Sequence, residues 1–390
     1  MRKIEAVHKP QGVTSADVIR KLQSHFKPSA FFKPWLDTER ERLAKEHERQ
    51  RQRKRRRTQN LDVKLGHGGT LDPLATGVLV IGAGYGTKFL QDFLSCTKTY
   101  DVVVLFGAET DTYDRLGKVV RRAPYGHVTR EAVEKALEQF RGKIMQRPPI
   151  FSALRVQGKK LYEYAREGTL PPIEIKSRPV EVSDLRIVEW YDPGTHEYKW
   201  PEEEAPTEEK AVAENMLAKD DALPVVEPAD NAEASSKRKS PPAESPKADD
   251  SAAESAVKRQ RVSTEGEAAP VPSEQPNAPE AVEQPATEIK PEPSEQSDSQ
   301  SPPPAVKLTM TVTSGFYVRS LAHDLGKALG SCGLMTALVR SRQGNYTLEE
   351  DQVLEYKDLD AGEEVWGPKV KRFLEKWERT RVLEKRKQNK

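Results

Sequence analysis

Gly66-His67-Gly68-Gly69-Thr70-Leu71-Asp72-Pro73-Leu74-Ala75-Thr76-Gly77, followed at once by Val78-Leu79-Val80-Ile81, is the stretch whose reading decides the fold. Glycines at 66, 68 and 69 let the backbone take positive φ and approach a ligand with no Cβ in the way. Pro73 fixes its own φ and pushes Asp72 out of the helical region into extended conformation. The loop therefore presents one carboxylate, with one imidazole five residues earlier, ahead of a buried apolar strand. An isolated Asp-Pro ordinarily does no more than initiate a turn. The histidine, the close glycines and the hydrophobic strand make this one a loop built for access.

Outward toward the C-terminus, Val78 to Thr87 contains Gly82-Ala83-Gly84-Tyr85-Gly86. A strand, a Gly-x-Gly turn, a helix from Thr87 to Leu94 and a strand from Thr99 to Phe106 imitate a dinucleotide-binding βαβ unit, and with it an NAD- or FAD-dependent oxidoreductase. Two features oppose that reading: Thr87 stands where the third fingerprint glycine allows close packing, and the helix is short for a parallel crossover. Tyr100 begins the second strand, where an aromatic is ordinarily a core residue.

Toward the N-terminus, Ile4 to Val7 reads as a strand, Lys9-Pro10-Gln11-Gly12 as a turn, and Thr14 or Ser15 as the cap of a helix with Val18, Ile19, Leu22 and Phe26 on one face. These elements read as scaffold. Residues 27–60 form a basic insertion; from Asp37 to Arg57 there is almost no apolar face, and the segment ends in Arg53-Lys54-Arg55-Arg56-Arg57. Such a helix is exposed or partly disordered, and its charges suit RNA phosphates or a nuclear import signal.

Beyond Phe106, the polar and acidic Gly107 to Gly117, with Asp111 and Asp114, reads as a connection and lacks the spacing of a calcium loop. Thr129 caps a helix with Val133, Leu137 and Phe140 inward, stopped near Gly142. An extended, proline-guided segment, 146–155, leads to Arg155, Lys159 and Lys160, interleaved with Tyr162 and Tyr164; this mixture suits phosphate contact with base stacking. Residues 179–191 alternate as a strand. From Pro201 to Pro304 Pro, Glu, Ala, Ser, Asp and Lys dominate and aromatics vanish, so the segment is expected to be disordered. It carries Lys237-Arg238-Lys239 and Lys258-Arg259-Gln260-Arg261, spaced like a bipartite import signal. Val306 to Val312 alternates as a strand and leads through Ser314-Gly315 into a helix, Arg319 to Leu329, which puts Arg319 at a strand-to-helix junction. Leu334 to Leu338 follow, then Arg340 and Arg342, and a tail from 351 to 390 with Trp366, Val370, Phe373, Leu374 and Trp377 at helical spacing before a basic end.

Composition narrows the class. Charged residues are 32% and hydrophobic ones 36% of 390, so part of the chain is not expected to fold. Cys96 and Cys332 are the only cysteines, too few for a disulfide framework or a cysteine zinc site. No apolar run of about 18 residues reads as a membrane span. Neither a signal region nor a mitochondrial presequence is evident at Met1-Arg2-Lys3.

Five collinear blocks resemble the TruB family of tRNA pseudouridine synthases. They are His67 to Gly77 with Thr87-Lys88; Lys98-Thr99-Tyr100; Phe151-Ser152-Ala153; Gly158-Lys159-Lys160-Leu161-Tyr162-Glu163-Tyr164-Ala165-Arg166; and Ser314-Gly315-Phe316-Tyr317-Val318-Arg319-Ser320. The likeness covers residues 1–26, 61–191 and 306–348, interrupted by the two insertions. It departs from the family at Phe151, where many members have tyrosine, so Phe151 is assigned packing alone.

The resemblance implies an α/β (α+β) pseudouridine synthase fold: one split catalytic domain, 1–200 with 305–350, around a mixed, mostly antiparallel sheet with flanking helices and an RNA-binding cleft. It implies isomerisation of the T-loop uridine of tRNA, position 55. Asp72 would be the nucleophile, Arg319 its cation, and Tyr100 the base-stacking and proton-transfer partner. His67 would hold or extrude the flipped nucleotide, which costs a few kcal/mol to unstack. Tyr317 and Leu338 would line the pocket, Lys64 and Lys88 would contact substrate, and Arg155, Lys159 and Lys160 would contact RNA. No cofactor, metal or membrane is expected; the partner is the tRNA T-arm and the chain a monomer. The nucleus is the expected location, with mitochondrion or cytoplasm as further possibilities. The competing readings are the oxidoreductase, which would bind NAD or FAD, and an RNA-binding protein without catalysis, which would lack one of Asp72, Tyr100 and Arg319.

Overall fold

The apolar run after the loop forms the strand Thr76–Gly84, buried at every position but its first. Its burial on both faces explains why it reads as continuous rather than alternating. Antiparallel to it on one side lies Arg2–Lys9, in register from Arg2 opposite Gly84 to Lys9 opposite Gly77. The sheet order runs 354–355, 2–9, 76–84, 333–343, 98–106, 305–312, 178–191, 142–146, with 346–347 and 65–67 added beside 333–343 and 76–84. Two of its pairings are parallel, 2–9 with 354–355 and 76–84 with 333–343; the others are antiparallel. The result is the mixed, mostly antiparallel α/β arrangement expected from the sequence.

This computed structural model describes residues 2–45, 61–210 apart from nine positions (150, 151, 153, 168, 170, 171, 174, 208 and 209), and 302–388. The described residues belong to one compact unit, Met1–Pro228 with Ser297–Lys390. Arg49 to Arg57, Phe151 and the import-like clusters at 237–239 and 258–261 lie outside them.

The sheet disposes of the βαβ reading. The strands Thr76–Gly84 and Lys98–Phe106 are not neighbours: Gly333–Gln343 lies between them, parallel to the first and antiparallel to the second. No parallel crossover joins them. Nor is there one helix from Thr87 to Leu94; a 3-10 turn spans Tyr85–Phe89 and a short α-helix spans Leu90–Ser95. The cause is the tight reversal at Gly84, with φ of 59°.

Flanking helices follow their sequence signals. Ser15–Phe26 is capped by Thr14, whose side chain accepts from the Asp17 N–H in a reciprocal capping box, and it buries Val18, Leu22 and Phe26. Thr129 caps Arg130–Leu137, which a 3-10 turn extends to Phe140. The C-terminal helix, Glu363–Gln388, buries Trp366, Val370, Phe373 and Leu374, and Trp366 meets Phe26 at 5.1 Å between ring centroids.

Two sequence expectations are corrected here. The insertion is not all exposed: Lys33–Ala44 is a helix that buries Leu36 and Leu43, seven residues apart on one face and too sparse to register as amphipathic. Order also continues past Pro201, because Val119 donates to Glu203 O and accepts from the Ala205 N–H, extending the strand pair Ala108–Thr110 and Val119–Arg122. On either side of the second insertion, Tyr191 faces Ala305 and Trp190 faces Val306 in antiparallel register. The two parts of the described chain thus meet in one sheet.

Candidate active site

Asp72 and Arg319, 247 positions apart, form a two-pronged ion pair: Nε donates to Oδ2 at 2.9 Å and Nη2 to Oδ1 at 3.4 Å. Arg319 stands at the second position of the helix Val318–Ala328, directly after the junction anticipated from the sequence. Its side chain is 8% exposed, against 35% for Asp72, so the carboxylate is the open member of the pair. A planar guanidinium suits this role, since it holds the carboxylate by two donors in a fixed geometry.

A second carboxylate shares the cation. Asp114 Oδ2 lies 3.9 Å from Arg319 Nε, and Arg319 Nη1 donates to Thr112 O at 2.9 Å. Burial pushes the Asp114 carboxyl above the usual carboxylate range; Arg319 pulls it down, and the charge of Asp72 adds a smaller upward push. The reading of 107–117 as a bare connection is therefore corrected. Its turn is closed by Asp111 Oδ1 accepting from the Lys118 N–H and by Asp114 Oδ1 accepting from Thr112 Oγ1 and the Leu116 N–H. Acidic residues punctuated by Gly117 were the available signal, but spacing alone did not point them at an arginine two hundred positions away.

The loop that carries Asp72 is tied down carbonyl by carbonyl. Gln343 Nε2 donates to Gly68 O, Arg340 Nη2 to Gly69 O at 3.2 Å, and Ser15 Oγ both donates to Leu71 O and accepts from the Leu71 N–H. The Gly12 N–H donates to Pro73 O, and Lys9 Nζ to Ala75 O at 2.6 Å. Lys9, Arg340 and Gln343 are each no more than 1% exposed. The opening turn and helix are thus more than the scaffold read from the sequence: they grip the loop. Gly77 is required where it is, because a Cβ there would lie 2.3 Å from Arg340 O at a φ of 110°. Burial lowers the Lys9 ammonium to about 8, with Asp72 opposing that shift and Arg340 adding to it.

The remaining expected residues fall in three places. His67 ends the short strand Leu65–His67; burial and then Arg340 lower its pKa, and its Nδ1 is interior without a hydrogen-bond partner among the described residues. Tyr100 is 8% exposed and lies in register between Arg340 and Met310, while Leu338 faces Val102 two pairs further on. Tyr317 precedes Arg319's helix. Gln146 grips its backbone twice, accepting from the Tyr317 N–H at 2.8 Å and donating to Tyr317 O at 3.0 Å, while the Arg178 guanidinium sits 4.7 Å over its ring.

Arg155, Lys159 and Lys160 occupy a hairpin, Arg155–Val156 with Lys159–Lys160, ahead of the short helix Leu161–Arg166. Lys159 pairs with Glu167 and lies 4.5 Å over the Tyr164 ring. Lys64 and Lys88 are not brought to Asp72. They line a cavity of about 400 Å³ with Trp35, Leu43, Leu61 and Tyr85. It sits at the Gly84 end of the strand Thr76–Gly84, roughly 25 Å from the loop end by the rise per residue.

A sequence profile of the TruB family pseudouridylate synthase N-terminal domain matches residues 54–200. The chain is 37% identical over 373 residues to a protein named tRNA pseudouridine synthase 4 from Schizosaccharomyces pombe, covering 91% of this chain and 82% of the relative. A protein of the same name from Saccharomyces cerevisiae is 32% identical over 392 residues, covering 98% and 87%. The human pseudouridylate synthase TRUB1 is 38% identical over 189 residues, 48% of each chain.

Proposed function

This chain belongs to the TruB family of pseudouridylate synthases, and on that footing we propose that it isomerises the T-loop uridine of tRNA, position 55, to pseudouridine. The observation that carries the reading is the Asp72–Arg319 pair, an open carboxylate backed by a buried guanidinium at the end of a braced loop. The reaction breaks N1–C1′ and forms C5–C1′. The C5 proton leaves, N1 gains one, and atoms and electrons balance within the nucleoside. Asp72 supplies the charge that attacks or stabilises the carbon losing its base. Arg319 keeps that carboxylate ionised when the cleft closes on a flipped nucleotide and excludes water. Tyr100 is the ring that stacks on the base and moves its proton. His67 holds the extruded nucleotide, and Tyr317 and Leu338 wall the pocket.

The test is pseudouridine formation on an unmodified tRNA transcript, beside a transcript with cytidine at position 55. Modification of the first and none of the second is expected; pseudouridine elsewhere in both would overturn the position, and none in either would overturn the activity. Nuclear residence is part of the proposal and rests on the basic clusters outside the described residues. A fluorescent fusion confined to the cytoplasm would remove it.

A further inference from the structure

His323 follows Arg319 by four residues, just over one helical turn, so both side chains leave the helix Val318–Ala328 on nearly the same face, about 6 Å apart along its axis. Arg319 reaches the 110–117 turn at Thr112 O and Asp114. His323 reaches it at the residue between them: its ring lies flat on Tyr113, with centroids 4.1 Å apart and planes 15° from parallel. Both rings are interior, His323 5% exposed and Tyr113 4%.

Tyr113 is held where a bulky residue is uncommon, at φ of 61°. That backbone turns the Thr112 carbonyl and the Asp114 carboxylate toward the same guanidinium. Hydrogen bonds fix the turn to the sheet, Met335 N–H to Tyr113 O and Arg115 N–H to Met335 O. Those bonds do not involve the helix. The helix meets the turn at Arg319 on one level and at the His323–Tyr113 stack one turn below. Two contacts a turn apart fix rotation as well as height; one does not. Behind the imidazole, Glu109 Oε2 lies 3.5 Å from His323 Nδ1, and Glu109, 1% exposed, is held by two bonds from Arg121.

We propose that His323 is a positioning residue: by stacking on Tyr113 it sets the rotation of its helix so that Arg319 meets Thr112, Asp114 and Asp72 together. The stack acts through Arg319 and does not touch substrate. The catalytic half of the claim rests on the pseudouridine synthase reading; the geometric half does not. It is tested on the full-length chain with His323→Ala, His323→Phe and, should His323→Ala not fold, Tyr113→Asn, which tolerates positive φ but has no ring. Two signals are read: single-turnover pseudouridine formation with tRNA affinity, and the ¹⁵N resonance of the Arg319 Nε–H in the free protein, identified by its loss in Arg319→Lys.

Removing the ring is expected to slow turnover at least tenfold while tRNA affinity stays within about twofold, and to lose the Nε–H signal to solvent exchange. Phenylalanine restores the stack and is expected to return turnover to within about threefold and the signal with it. A ringless variant with unchanged turnover and signal overturns the proposal. So does a phenylalanine variant as impaired as alanine, which would assign the hold to the Glu109 contact. A wild-type chain that forms no pseudouridine while the resonance behaves as expected overturns the activity alone.

Discussion

Two segments that the sequence marks for RNA are built on opposite plans. The loop Gly68 to Ala75 is held by residues remote in the chain: Ser15 at a separation of 56, Lys9 at 66, Arg340 at 271 and Gln343 at 275. The hairpin and helix from Arg155 to Glu167 bond within themselves: Arg155 to Gly158 O, Tyr164 Oη to Val156 O, the Lys160 N–H to Glu163, and Lys159 to Glu167. Remote bonds fix a segment against the sheet, whereas local bonds fix only its internal shape. Chemistry that depends on sub-ångström placement belongs on the first, and contact with a long polyanion tolerates the second.

The contrast is broken or sharpened most strongly at Asp72. Asp72→Asn keeps shape and hydrogen bonding but not charge, so turnover should fall at least about a thousandfold with tRNA affinity within about threefold; near wild-type pseudouridine formation would end the assignment. Asp114→Asn comes next. It leaves Arg319 paired with Asp72 but removes one of its two negative neighbours, and a fall of about ten- to a hundredfold in single-turnover rate is expected, again with binding intact.

Arg340→Met tests the braces. It leaves Gly69 O and Val78 O without their interior donor, for a loss of about 2–3 kcal/mol of unfolding free energy in denaturant titration. The rate should fall too, because the loop loses its hold. A stability loss with no rate effect would show that the braces do not position Asp72. On the other segment, Lys159→Gln with Arg155→Gln should leave the single-turnover rate unchanged, weaken tRNA binding a few-fold and flatten the plot of log affinity against log salt by about 0.7–0.9 per lost phosphate contact. An unchanged salt slope would take this hairpin off the RNA.

The last effect is a matter of pH. The Lys9 ammonium titrates near 8 in the fold, below its ordinary 10.5. Between those values the unfolded chain binds the proton and the folded chain does not, so this group makes stability rise with pH, by up to about 1.4 kcal/mol per unit. Wild type should therefore show a steeper rise from pH 8 to 10 than Lys9→Met; parallel curves would contradict the burial of this charge.

Much of this was legible in the chain. The apolar run 78–81 announced its strand, and Thr14 and Thr129 announced their helices; the split single domain, in which Tyr191 pairs with Ala305, came from the family resemblance. Periodicity and capping are local, so a window of a dozen residues carries them. The buried face of the helix at 33–44 was missed because two buried leucines among charges do not make a periodic signal.

By itself the sequence determined which residue types stand in the loop at 66–77, that a carboxylate there is exposed by Pro73, and that Arg319 lies where a strand becomes a helix. Only the tertiary structure decided that Arg319 meets Asp72, that Asp114 joins them, that Lys9, Arg340 and Gln343 brace the loop from beneath, and that Lys64 and Lys88 end up at the far end of the strand. Each of these is a single contact between polar groups far apart in the chain, set by sheet order and register. A lone buried charge leaves no periodic trace along the sequence, and its partner is known only when the strands between them have been laid side by side.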